Sequence, residues 1–102
     1  MTAHELVGII DKSIAERQTF KNVLNLQRCR VTPRLTDFYS STEDTKPEKL
    51  WLVLEEDPED HSGYSIVYDE GMASFGLATL GKNGKPICIG LHGSFCDALE
   101  AM

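Results

Sequence analysis

The densest group of titratable side chains in this chain is six residues in one short stretch. Glu55, Glu56, Asp57, Glu59 and Asp60 are separated only by Pro58 and are followed at once by His61. Clustered carboxylate oxygens suit hard cations, but an EF-hand loop needs D-x-[DN]-x-[DN]-G and a glutamate at its twelfth position, and neither is present. Zinc would require a second histidine or cysteine at ligand spacing, which is also missing. Without a metal reading, the run is expected to be a solvated or partner-facing acidic loop, since charge runs usually face water.

A second candidate lies near the C-terminus, at His92-Gly93-Ser94-Phe95-Cys96. A strand giving way to a helix leaves free amides and the positive end of the helix dipole, an arrangement that can hold an anion or a small ligand at His92, Gly93 and Ser94. Ser94 is equally explained as the helix cap. The glycines match neither GxGxxG nor GxxxxGK[ST], and Ser94 does not form GxSxG. Cys96 in the first helical turn, close to His92, is the best-placed thiol for nucleophilic chemistry, although a cysteine on a short helix is ordinarily a small packing residue. Trp51, Tyr64, Tyr68 and Phe75 could border a pocket, but aromatics at alternating strand positions usually build core. The residues single out no catalytic group, no cofactor and no metal.

Charge along the chain narrows the partners. The formal net charge is −6. Residues 1–36 hold six basic and three acidic side chains, residues 37–70 two basic and eleven acidic, and the remainder two of each. Nucleic-acid binding needs a positive face for the phosphates, so it is not expected. A protein partner with a basic surface fits the acidic middle. No apolar run approaches the roughly 20 residues of a membrane span, and no signal-peptide pattern opens the chain, so no membrane is expected and the cytoplasm is the default compartment. Three cysteines without a CxxC pair suit reduced thiols.

The elements that must position these residues follow from periodicity. With 102 residues, 41% of them hydrophobic, the chain is expected to form a single domain over 1–102. Thr2-Ala3-His4-Glu5 matches a capping box, and Leu6, Ile10 and Ile14 give one stripe, which predicts a helix from about Ala3 to Arg17. Residues 19–28 continue a helical spacing through Phe20, Val23 and Leu24. Thr32-Pro33 reads as another helix start, predicting a short helix over Pro33–Tyr39 with Leu35, Phe38 and Tyr39 inward. Residues 40–48 read as a polar connection.

Alternation then predicts four strands at about 49–55, 63–69, 73–80 and 86–92, separated by turns at Asp69-Glu70-Gly71 and at Gly81–Lys85 with its Asn83-Gly84 pair. In the first strand Leu50, Leu52 and Leu54 share a face; in the last, Ile87, Ile89 and Leu91 do. Gly76 and Gly90 suggest close approach by a bulky neighbour such as Trp51 or Tyr68. Ser94 and Asp97 cap a final helix carrying Phe95, Leu99 and Met102.

The expected architecture is therefore α+β: a four-stranded antiparallel meander sheet with N-terminal helices and a short C-terminal helix packed on one face. The other face is partly solvated or a dimer surface, and an edge strand offers a route to a homodimer. Two functional readings follow. The first is a small acidic cytoplasmic interaction module, regulatory or of antidote or immunity type, binding a basic partner surface through Glu55 to His61. The alternative is a small enzyme or an anion- or ligand-binding domain with its site at the His92–Cys96 junction.

Overall fold

The computed structural model describes residues 1–16, 26–81 and 84–102. Helix α1 (Ala3–Glu16) begins as its capping box requires: the Glu5 amide donates to Thr2 Oγ1 at 3.2 Å, and the Thr2 amide donates to Glu5 Oε1 at 3.3 Å. Residues 17–25, which include most of the helical prediction over 19–28, lie outside the described residues, and a four-residue helix α2 (Leu26–Cys29) follows them. The sheet consists of β1 (Arg30–Phe38), β2 (Glu48–Asp57), β3 (Ser62–Asp69), β4 (Ser74–Leu80) and β5 (Pro86–Gly93), paired antiparallel in sequence order. Helix α3 (Phe95–Ala101) closes the chain. The α+β architecture is as expected, with five strands in place of four.

The extra strand replaces the helix expected over Pro33–Tyr39. Arg34, Leu35, Thr36 and Asp37 pair with Leu52, Trp51, Leu50 and Lys49, so Phe38 points into a buried cluster while Leu35 stays half-exposed. Pro33 is tolerated because it falls where the register between Arg30 and Arg34 is irregular, at the sheet edge, where a missing amide proton breaks no ladder bond. The competing helix would have left the apolar run of β2 without a partner on that side. A Lys49–Asp37 ion pair at 2.7 Å and an Arg30–Asp11 pair at 2.8 Å tie β1 to β2 and to α1.

Both faces of the sheet bury apolar residues, but against different things. On the outer face Leu6 and Ile10 of α1, Cys29 of α2, and Phe95, Cys96, Ala98 and Leu99 of α3 pack on Trp51, Val53, Ile66, Tyr68, Phe75 and Leu77. Tyr68 and Phe75 meet with centroids 4.6 Å apart, and Phe95 stands edge-on to Phe75 at 5.7 Å. Burying such a ring contributes about 1.5–3 kcal/mol. On the inner face Phe38, Leu50, Leu52, Val67 and Ala78 form a smaller cluster that holds no helical residue among the described residues.

The sheet curls towards that inner face until its edges touch. The Tyr39 amide donates to the Pro86 carbonyl and the Cys88 amide to the Tyr39 carbonyl, both at 2.9 Å, a parallel bridge between the end of β1 and the start of β5. Lys85 secures it: its ammonium lies 4.2 Å from the Tyr39 ring centroid and donates to the carbonyls of Thr42 and Asp44. Asp44 organises the loop before β2, accepting from the Ser40 and Lys46 amides at 3.0 Å each.

Bulges supply the curvature. On β4 and β5, Leu77 faces Gly90 while Ala78 faces Cys88, which places one extra residue, Ile89, on β5. A strict two-residue alternation there fails, and Cys88 and Leu91 border the same cavity. The close approach expected at Gly76 is made by the Gly90 backbone and the Leu91 side chain of β5, not by Trp51 or Tyr68. At the turn after β4, the Gly81 amide donates to Lys85 O at 2.8 Å and Gly84 takes φ +77°; Asn83 lies outside the described residues.

Candidate functional site

Two cavities border the inner-face cluster among the described residues. The first, of about 280 Å³, is bordered by Arg34, Thr36 and Phe38 of β1, Leu52 and Glu55 of β2, Ser65 of β3, Ala78, Thr79 and Leu80 of β4, together with His61, Gly63 and Pro86. The second, of about 350 Å³, lies between Phe38, Leu50, Cys88 and Leu91 and the polar loop side chains Ser40, Asp44 and Lys46. Phe38, only 4% exposed, borders both and divides them.

A bulge in β2 creates the chemistry of the first cavity. Leu52 pairs with Val67, but Leu54 pairs with Ile66, so two steps on β2 match one on β3. Leu54 consequently joins the helix-covered core instead of sharing a face with Leu50 and Leu52, and the next side chain, Glu55, turns inward. Glu55 is the single buried charged or polar side chain among the described residues, 6% exposed. A buried carboxylate needs partners, and His61 supplies one: its Nδ1 lies 2.7 Å from Glu55 Oε2. Because a carboxylate only accepts, Nδ1 is the donor. His61 reaches Glu55 from the β2–β3 turn in a left-handed conformation, φ 55°, which is costly for a residue with a Cβ. Its ring remains largely exposed on the other side.

The acidic run is thereby split. Glu55 and His61 meet at the cavity. Glu56 accepts from the Tyr64 amide at 3.2 Å, Asp57 accepts from the Asp60 amide at 3.4 Å, and Arg28 lies 3.9 Å from Asp57 and 3.4 Å from Glu59. Glu59 and Asp60 face solvent at the turn. The six do not form one continuous surface.

The residues of the C-terminal junction are engaged with one another. Gly93 donates to Ser74 Oγ at 3.0 Å, Ser94 and Asp97 complete a reciprocal capping box at 3.3 and 3.1 Å, and the Cys96 amide donates to Ser13 Oγ at 3.4 Å. Donors that an anion would need are thus already used inside the fold. Cys96 is 1% exposed, with its thiol 3.3 Å from the Ser13 carbonyl, while His92 stands on the surface. Neither His92 nor Cys96 borders either cavity.

Two other thiols feel their surroundings. Burial pushes Cys88, at the second cavity, and Cys29, beneath the β2–β3 turn, above the ordinary thiol range. Asp44 is held below the usual carboxylate range, first by the Ser40 amide and then by that of Lys46. No group of three or more metal-ligating side chains occurs among the described residues, and no helix there is long and apolar enough to cross a membrane.

Arg34, Thr36, Phe38, Ser65 and Thr79 were not singled out by spacing. The Thr32, Arg34, Thr36, Phe38 alternation was the available signal, masked by the helix-start pattern at Thr32-Pro33. Compared with protein-family models, curated proteins and solved structures, the chain finds no match.

Proposed function

We propose that the chain is a small-molecule binding module whose ligand enters the first cavity of the curled sheet. The observation that carries this is Glu55, a buried carboxylate turned into the cavity by a strand bulge and held there by a histidine in a left-handed conformation. A left-handed histidine and a buried carboxylate both cost free energy. Apolar walls at Phe38, Leu52, Ala78 and Leu80 with a few convergent polar groups are the composition of a ligand pocket. On this reading the ligand-binding role belongs to the cup, in place of the His92–Cys96 junction.

The test is a fragment screen by amide chemical-shift mapping on the full chain. Ligands should move Ser65, Ala78 and Thr79, raise the melting temperature in proportion to occupancy, and lose both effects in Ser65→Phe, which fills the cup. A screen whose hits all map elsewhere overturns the reading.

A second reading, an acidic interaction module for a basic protein partner, is supported by Glu59, whose side chain is 79% exposed beside Asp60 at the β2–β3 turn. Capture from lysate that is unaffected by salt, or by converting Glu59 and Asp60 to lysine, would dispose of it.

A further inference from the structure

The cup contains receptors for both signs of charge, and they are not spent on each other. Arg34 borders the cavity from β1, opposite Leu52 in the ladder. Glu55 is the next inward-facing position of β2 beyond Leu52 and borders the same cavity. Guanidinium and carboxylate border one cavity, yet no ion pair joins them. Glu55 instead gives Oε2 to His61, and its Oε1 makes no hydrogen bond among the described residues. No fully buried side-chain oxygen or nitrogen there lacks a partner, so Oε1 keeps contact with the cavity solvent. Arg34 has no ion pair among the described residues and stands at the exposed rim.

We infer that the ligand is a zwitterion of amino-acid size, its ammonium group on Glu55 Oε1, its carboxylate on the Arg34 guanidinium and its apolar side chain over Phe38, Leu52 and Ala78. This rests on the cup being the binding site. A guanidinium accepts a carboxylate through two parallel hydrogen bonds, which fixes orientation as well as charge. Glu55 is 6% exposed, so a cation brought to its free oxygen is worth more than it would be at the open surface. A ligand without the ammonium leaves Glu55 with His61 alone, and one without the carboxylate forgoes the paired contacts of Arg34, so singly charged analogues should bind more weakly. The volume of about 280 Å³ lies near the lower end for ligand pockets and favours a compact molecule over a peptide segment.

The experiment compares four probes of one skeleton by shift mapping and calorimetry: L-leucine, 3-methylbutylamine, 4-methylpentanoate and 4-methylpentan-1-ol. Leucine should bind at least about tenfold more tightly than any of the other three, a difference of about 1.4 kcal/mol. Arg34→Gln should remove its advantage over the amine, and Glu55→Gln its advantage over the acid. Should Glu55→Gln melt early, Arg34→Gln, at an exposed position, carries the test alone. Equal affinity for all four, with shifts in the cup, overturns the zwitterion and leaves the binding cup standing. No shift at Ser65, Ala78 or Thr79 with any probe overturns both.

Discussion

Phe38→Ala separates the strand from the helix that its sequence imitates. In β1 the Phe38 ring is 4% exposed, packed with Leu50, Leu52, Val67 and Ala78, whereas Leu35 is 52% exposed on the opposite face. Truncating a fully packed phenylalanine costs about 3–5 kcal/mol. Here the ring has a cavity on either side, so its packing is incomplete and the lower figure of about 3 kcal/mol applies. For a chain of this length each kcal/mol shifts the melting temperature by about 5 °C, so the loss should be about 15 °C. Leu35→Ala, a surface change, should stay within about 0.5 kcal/mol, or 2–3 °C. Thermal unfolding followed by far-ultraviolet circular dichroism measures both. A helix over Pro33–Tyr39 would bury Leu35 and Phe38 on one face and make the two losses comparable. Equal shifts, or a Phe38→Ala loss below about 5 °C, would refute the strand and with it the cup that Phe38 divides.

Gly76→Ala should destabilise by about 1–3 kcal/mol, because a β-carbon there would run into the Gly90 backbone, and Gly84→Ala, where a β-carbon meets nothing and only the φ of +77° resists, should cost less; denaturant midpoints compare them. The raised thiols of Cys29 and Cys88 bind protons in the fold after the unfolded chain has lost them, so stability is fully present below the ordinary thiol pKa of about 8.5 and falls as pH rises above it. Urea unfolding at pH 7.5 and 9.5 should show that loss, and Cys29→Ala with Cys88→Ala should shrink it; an unchanged pH dependence would count against the burial. Lys85→Met should loosen the β1–β5 bridge, seen as faster hydrogen exchange of the Tyr39 and Cys88 amides with that of Val67 unchanged.

Local signals explain which elements could be read from the chain. Capping boxes at Thr2–Glu5 and Ser94–Asp97 are reciprocal contacts between residues three apart, and both form as expected. Strands β2 to β5 lie within one or two residues of their expected limits, because turn residues separate them. Failure came where a long-range demand overrode a local one. Thr32-Pro33 is an honest helix start, but the uncovered side of β2 requires a pairing strand, and that requirement is invisible within any short window.

The same limit hides Glu55 within the acidic run. Counted along the chain, Glu55 is one of five carboxylates before His61, and charge of that density ordinarily faces water. What removes Glu55 from the group is a single extra residue on β2. Leu50-Trp51-Leu52-Val53-Leu54 is apolar at both parities, so a bulge anywhere in it costs no hydrophobic match and leaves no trace in the pattern. Were β2 regular, Leu54 would take the inner position beyond Leu52, and Glu55 would point to the face that the helices cover. The bulge reverses both at once. It gives the core Leu54, fully buried beside Ile66, and gives the cup its carboxylate. One backbone irregularity therefore settles packing on the outer face and chemistry on the inner one, which couples the stability of the fold to the position of Glu55.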